Sequence, residues 1–135
     1  LSNDLLDGVI VSSLEDKDPI VAALHQSQIP FVLIGRYRDN LPVSFVDIDN
    51  EKCTQTAVNY LIESGRKRIA TITGVEGIVY APFAAFINPA LTTISLPIAV
   101  LGRQAVDMLV QQIDQQPEEP LTQVLTSELI IRESA

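Results

Sequence analysis

The chain has 135 residues, a formal net charge of −8, 47% hydrophobic residues and 19% charged ones. That length suits one domain, and that apolar stock builds a packed core rather than a disordered chain. The negative charge, with no long Lys/Arg stripe, argues against direct contact with a nucleic-acid backbone.

The first element is GVIVSS, a short continuous apolar run from Gly8 to Ser13 that reads as a buried strand. LEDKDPIVAALHQSQIP follows. Asp16 or Asp18 can cap a helix that carries Pro19 in its first turn, with Ile20, Val21, Leu24 and Ala23 toward the core. FVLIG, Phe31 to Gly35, is a second buried strand, and RYRDNLPVS is a polar connection. FVDI, Phe45 to Ile48, is a shorter third strand.

Asp49 or Asn50 caps the next helix, whose apolar face is Cys53, Ala57, Val58, Leu61 and Ile62. Gly65 stands where a left-handed residue closes a helix. IATIT, Ile69 to Thr73, is expected as a fourth strand. VEGIVYAPFAAFINPA has no clean period; Pro82 and Pro89 interrupt it, and Phe83 to Ile87 fits one helical turn. TTIS is extended. Pro97 opens a long helix with Ile98, Leu101, Ala105, Leu109 and Ile113 on one face. QQPEEP is a turn, and QVLTSELIIRESA gives one or two closing strands. Strands alternating with helices predict an α/β fold with a mostly parallel sheet flanked by helices.

Few residues point to catalysis. His25 is the only histidine, in a polar stretch at a helix end, and reads as a surface residue. Cys53 is the only cysteine, so no internal disulfide forms, and on an apolar helix face it reads as a small hydrophobe. Asp47 and Asp49 are not read as an acid–base pair. No metal-ligand spacing, phosphate-cradling loop or nucleophile elbow occurs, so no metal, no cofactor and no enzyme activity is expected. Arg66-Lys67-Arg68 follows a helix and reads as a cap on its dipole. No apolar run reaches membrane-spanning length, and LSNDLLDG lacks the pattern of a signal peptide. Hence the expectation of a cytoplasmic protein without a membrane partner.

Binding is better supported. Ligands of parallel α/β sheets sit beyond the carboxyl ends of the strands. Three such edges occur: Ser12-Ser13, Gly35-Arg36 and Asp49-Asn50. Their hydroxyls, guanidinium, carboxylate and amide suit a polar ligand. Each has a plainer alternative: a turn at Ser12-Ser13, an ion pair of Arg36 with Asp39, and helix capping at Asp49-Asn50.

Residues 46–74, VDIDNEKCTQTAVNYLIESGRKRIATITG, resemble part of the effector-binding core of the lactose-repressor (LacI-type) family of bacterial transcriptional regulators. The match lies in Asp49-Asn50, Ala57-Val58, Leu61, Gly65 and Arg68-Ile69, with Arg66 where the family commonly has His. DGVIVSS and IPFVLIGRY fall on preceding strands of the family. The C-terminal match is as specific: Pro89, Leu91 to Ile94, Pro97, Leu101-Gly102, Ala105 and Glu128 to Ser134.

The resemblance implies a type I periplasmic-binding-protein-like core, read as largely the N-terminal lobe with much of the second lobe missing from the sequence. It divides 1–135 into strand–helix repeats over 1–74, a junction over 75–90, and a returning strand, long helix and terminal strands over 91–135. It implies a small polar effector, a sugar or related metabolite, with Ser12, Asp49 and Asn50 near it. It implies a homodimer, with Phe83, Phe86 and Ile87 packing on a partner chain or within the chain's own core. It implies allosteric control of operator DNA through an N-terminal helix-turn-helix that these residues do not include.

There are departures. The family has a further strand–helix–strand–helix before the segment like DGVIVSS, and a long second-lobe stretch between the two matching blocks. GIVYAPF replaces a Gly-aromatic-Asp-Asp segment, which removes an expected effector contact. The alternatives of another class are a periplasmic sugar-binding protein of the same fold and a small enzyme with an unmarked site.

Overall fold

A computed structural model describes residues 6–12, 18–37, 41–70 and 92–132. The described chain forms two compact units, each built from two stretches: 1–47 with 98–125, and 48–97 with 126–135.

The first unit holds β1 (Val9–Ser12), α1 (Pro19–Ser27), β2 (Phe31–Ile34), most of β3 (Ser44–Ile48), α3 (Ile98–Gln115) and β5 (Thr122–Leu125). Its sheet runs in the order β1-β2-β3-β5. β1 and β2 pair in parallel with Val9 opposite Phe31 and Ser12 opposite Ile34; β2 and β3 pair in parallel with Leu33 opposite Phe45. In-register neighbours share a face, and this sorts the unit into layers. Val11, Phe31 and Leu33 point to one face and are buried there against Val21 and Leu24 of α1. Tyr37, Leu41 and Val43, from the connection between β2 and β3, pack on the same cluster. That segment therefore does the covering that a crossover helix would otherwise do.

Val32 and Val46 alternate to the other face, where α3 lies across β1 and β2. Buried Ser44 locks helix to sheet on this side. Its Oγ accepts from the Gln112 side chain and from Leu121 N–H at 2.9 Å, while Phe45 N–H donates to Leu121 C=O at 3.0 Å.

α1 begins as expected. Asp18 is its N-cap, accepting from Ile20 N–H at 2.9 Å, and Pro19 takes the first position, where a missing N–H costs nothing. Two residues expected in the core are outside it: Ile20 is 49% exposed and Ala23 is exposed. Nine residues present only a narrow stripe to the sheet, and Val21 and Leu24 fill it. In α3 the buried residues are Leu101, Ala105 and Met108, so the face is turned toward Met108 and Gln112. Ile98, expected inward, is exposed, while Leu109 and Ile113 are half-buried.

The second unit holds α2 (Asn50–Glu63), β4 (Thr93–Ser95) and β6 (Glu128–Ile130). β4 and β6 pair antiparallel, Thr93 opposite Ile130 and Ser95 opposite Glu128. Thr92 Oγ1 extends the ladder, accepting from Arg132 N–H at 2.9 Å. α2 packs on this pair. Three-residue strands span about 10 Å and a fourteen-residue helix about 21 Å, so the cover is partial. Cys53, Ala57, Val58 and Leu61 are half-buried, and Ile62, expected in the core, is 56% exposed in the last turn.

α2 ends as its sequence predicts. Gly65 has φ +79; its N–H donates to Ile62 C=O at 2.9 Å, and Arg66 N–H donates to Leu61 C=O at 3.0 Å. These two bonds make a Schellman motif. Gly65→Ala is expected to destabilise α2 by about 1 kcal/mol, because a Cβ disfavours the left-handed backbone. Amide hydrogen exchange over residues 58–66 reads this as faster exchange confined to the last turn.

Of the strand expected over Ile69 to Thr73, only Ile69 and Ala70 are described, and neither is in a strand. Ser13, Asp16, Asp39 and the whole of 71–91, with Phe83, Phe86 and Ile87, lie outside the described residues.

Candidate functional site

The carboxyl edge of the parallel sheet is the place where strand ends meet a ligand in this class of fold. In the first unit, β1 ends there at Ser12 and β2 at Ile34, followed by Gly35, and β3 brings Asp47 there one residue before its last. Gly35 makes a last ladder bond, its N–H donating to Val46 C=O at 2.9 Å. At φ +108 it then turns the chain out of the sheet, a conformation glycine adopts without a Cβ penalty. Arg36 is thereby delivered to the edge.

Arg36 is fixed from two sides. Its Nε lies 3.4 Å from Asp47 Oδ2, and its guanidinium carbon sits 5.4 Å from the centre of the Phe45 ring. Phe45 and Asp47 are two apart on β3 and so share a face. The Arg36 side chain is 51% exposed, so this pair contributes little to stability. It does hold a planar fork of donors in a defined orientation while leaving it open to solvent. Phe45 and Tyr37 also line a shallow groove of about 500 Å³ with Leu41, Pro42, Val43 and Pro120, from the segments that lead into β3 and β5; Arg36 is not part of its lining.

The residues singled out from sequence fall as follows. Ser12 is exposed at the end of β1, on the sheet face that α3 covers, opposite the face carrying Asp47. Asp49 and Asn50 belong to the second unit. Asp49 is the N-cap of α2: its Oδ1 accepts from Lys52 N–H at 2.9 Å. Asn50 is the first helical residue and is exposed; its C=O accepts from Thr54 Oγ1. Arg36 pairs with Asp47; Asp39, the partner the sequence suggested, lies outside the described residues. Asp47 and Phe45 were missed as site residues, although their spacing of two on a strand was visible.

His25 sits exposed in the last turn of α1, and Cys53 is a half-buried free thiol. Among the described residues, no group of three or more His, Cys, Asp or Glu side chains could hold a metal ion. No described helix is long and apolar enough to cross a membrane.

Comparison with known proteins places the fold. Residues 1–82 match the model for periplasmic binding proteins and the sugar binding domain of the LacI family, and residues 74–135 match that for a periplasmic binding protein-like domain. The HTH-type transcriptional regulator CelR of Thermobifida fusca is 40% identical over 82 residues, which are 58% of this chain and 24% of that protein. The HTH-type transcriptional regulator RafR of Escherichia coli is 37% identical over 68 residues, 50% of this chain and 20% of that one. The chain thus matches a quarter or less of the length of these relatives. A CelR–cellobiose complex superimposes with a TM-score of 0.85 at 22% identity, over 97% of this chain and 66% of that one, which establishes a shared fold. The chain belongs to the family of periplasmic binding proteins and LacI-type sugar binding domains.

Proposed function

We propose that this chain is the effector-sensing core of a LacI-type transcriptional regulator, and that its effector is a sugar. The observation that carries the proposal is the half-exposed guanidinium of Arg36, held at the carboxyl edge of the sheet by Asp47 and Phe45. A guanidinium donates from a planar fork, which fits the adjacent hydroxyl oxygens of a sugar ring. The matched family description, and the cellobiose carried by the structurally similar CelR complex, support that ligand class.

The same reading assigns effector contacts to Ser12, Asp49 and Asn50, each of which can accept from or donate to sugar hydroxyls. It has the protein act in the cytoplasm as a homodimer, with Phe83, Phe86 and Ile87 at the dimer contact. Effector binding then shifts the population of conformations in which an attached head engages operator DNA. No bond is broken in this scheme; the protein senses rather than turns over its ligand.

Isothermal titration with a panel of mono- and disaccharides, cellobiose included, tests the proposal. Saturable binding of one sugar class, weakened by Arg36→Ala, is expected. A charged-assisted contact of this kind contributes about 1.5–3 kcal/mol, so the loss should be on the order of ten- to one-hundred-fold. Binding of nucleobases but no sugar would overturn the ligand class, and sugar binding indifferent to Arg36→Ala would overturn the site.

A further inference from the structure

The shallow groove that Tyr37 and Phe45 line has no part in the effector reading. It lies wholly within the first unit, where the connection from β2 to β3 meets the segment that enters β5. Both stretches are held in place. Tyr37, Leu41, Val43 and Phe45 pack with the hydrophobic cluster that includes Val21 and Leu24 of α1. The other stretch is pinned to β3 through Leu121, whose N–H donates to Ser44 Oγ at 2.9 Å and whose C=O accepts from Phe45 N–H at 3.0 Å. Pro42 and Pro120 each fix a backbone angle. Such a groove is largely formed before anything enters it, which lowers the ordering cost of binding.

We propose that this groove docks a basic, proline-containing segment of a partner protein in the polyproline II conformation. A small molecule needs enclosure on most sides, which a shallow groove does not give. An extended segment lies along such a surface with its own backbone still solvated. The lining joins two aromatic rings and two proline rings, flat apolar surfaces against which prolyl side chains pack. The hydroxyls of Tyr37 and Thr122, also in the lining, form no hydrogen bond with a described residue. Both can donate to the carbonyls that polyproline II leaves unpaired.

Charge sets the sign of the partner. Glu119 is the one charged residue among the described lining; Glu118 precedes it, and both are exposed. Neither forms an ion pair with a described residue. Arg36, over the Phe45 ring, is outside the lining and faces Asp47. A lysine or arginine at one end of the segment is therefore drawn to Glu119, and a chain of net charge −8 steers a basic partner toward itself.

The proposal does not depend on the effector reading, and fluorescence anisotropy of labelled peptides with the purified protein tests it. The probe is the hexapeptide PPAPPR, for which saturable binding in the micromolar range is expected. PPAPPE should bind about ten-fold more weakly, and GSAGSR, which keeps the charge without prolines, should not bind. Glu119→Lys should weaken PPAPPR about ten-fold and make PPAPPE the better ligand. Its circular dichroism spectrum should be unchanged, because the position is exposed. Tyr37→Phe keeps the ring and removes the hydroxyl, and should lose about two- to ten-fold.

No binding of PPAPPR up to about 1 mM overturns the proposal. Equal binding of GSAGSR also overturns it, because the surface would then read charge alone. PPAPPR binding unmoved by Glu119→Lys places the peptide elsewhere and overturns the groove. Argininamide that binds as tightly as PPAPPR replaces the partner segment with a small organic cation.

Discussion

Leu24→Ala is expected to lower the stability of the first compact unit by about 3 kcal/mol. Leu24 is fully buried at the centre of the contact between α1 and the sheet, against Val11, Phe31 and Leu33. Truncation removes the transfer free energy of its branched end and leaves a cavity, because rigid strand residues on the far side cannot follow. α1 has nine residues, fewer than the ~12–15 at which an isolated helix begins to hold in water. Its helicity therefore rests on this face rather than on propensity.

A loss of that size is a large part of the ~5–15 kcal/mol that a domain has in total. Urea denaturation followed by circular dichroism reads it as a lower midpoint. Ile20→Ala is the matched control: with Ile20 half-exposed, its effect should stay within about 0.5 kcal/mol. Equal effects at the two positions would mean that α1 is rotated on the sheet.

The contrast between Leu24 and Ile20 shows what periodicity carries and what it does not. Apolar spacing announced α1, α2 and α3, and local chemistry set their ends: Asp18 before Pro19, Asp49 before Asn50, Gly65 in a left-handed turn. Those signals act within a few residues of themselves, so a single sequence contains them. Which stripe of each helix is buried depends on the size and position of the surface it meets. The rotation of α3 toward Met108 and Gln112 answers to buried Ser44, sixty-eight residues earlier in the chain.

The site divides in the same way. Ser12, Gly35-Arg36 and Asp49-Asn50 were readable as strand-end positions, because the apolar runs that form the strands stop just before or at them. The pairing of Arg36 with Asp47 was not, because it depends on β2 and β3 lying in parallel with Leu33 opposite Phe45. Nothing local fixes that register. Only when it is known do Phe45 and Asp47 fall beside the guanidinium.

Asp49→Ser separates two roles that the structure and the family resemblance assign to one carboxylate. As N-cap of α2, Asp49 accepts from Lys52 N–H. Serine fills that position about as well as aspartate, so stability should change by only a few tenths of a kcal/mol. Asp49→Ala would cost about 1 kcal/mol through the lost cap and would blur any effect on binding. The cap engages one carboxylate oxygen, Oδ1, and leaves the charge of the group for a sugar hydroxyl.

Hydrogen bonds to a charged partner contribute about 1.5–3 kcal/mol. Sugar affinity of Asp49→Ser should therefore fall on the order of ten- to one-hundred-fold, at nearly unchanged stability. Ser12→Ala removes a neutral partner and should lose no more than about ten-fold. Titration calorimetry beside thermal denaturation of the same preparations measures both quantities. Unchanged affinity together with unchanged stability in Asp49→Ser would leave the carboxylate with capping as its sole task. The effector contact would then have to be sought around Arg36, where Asp47 and Phe45 already hold a donor fork in place.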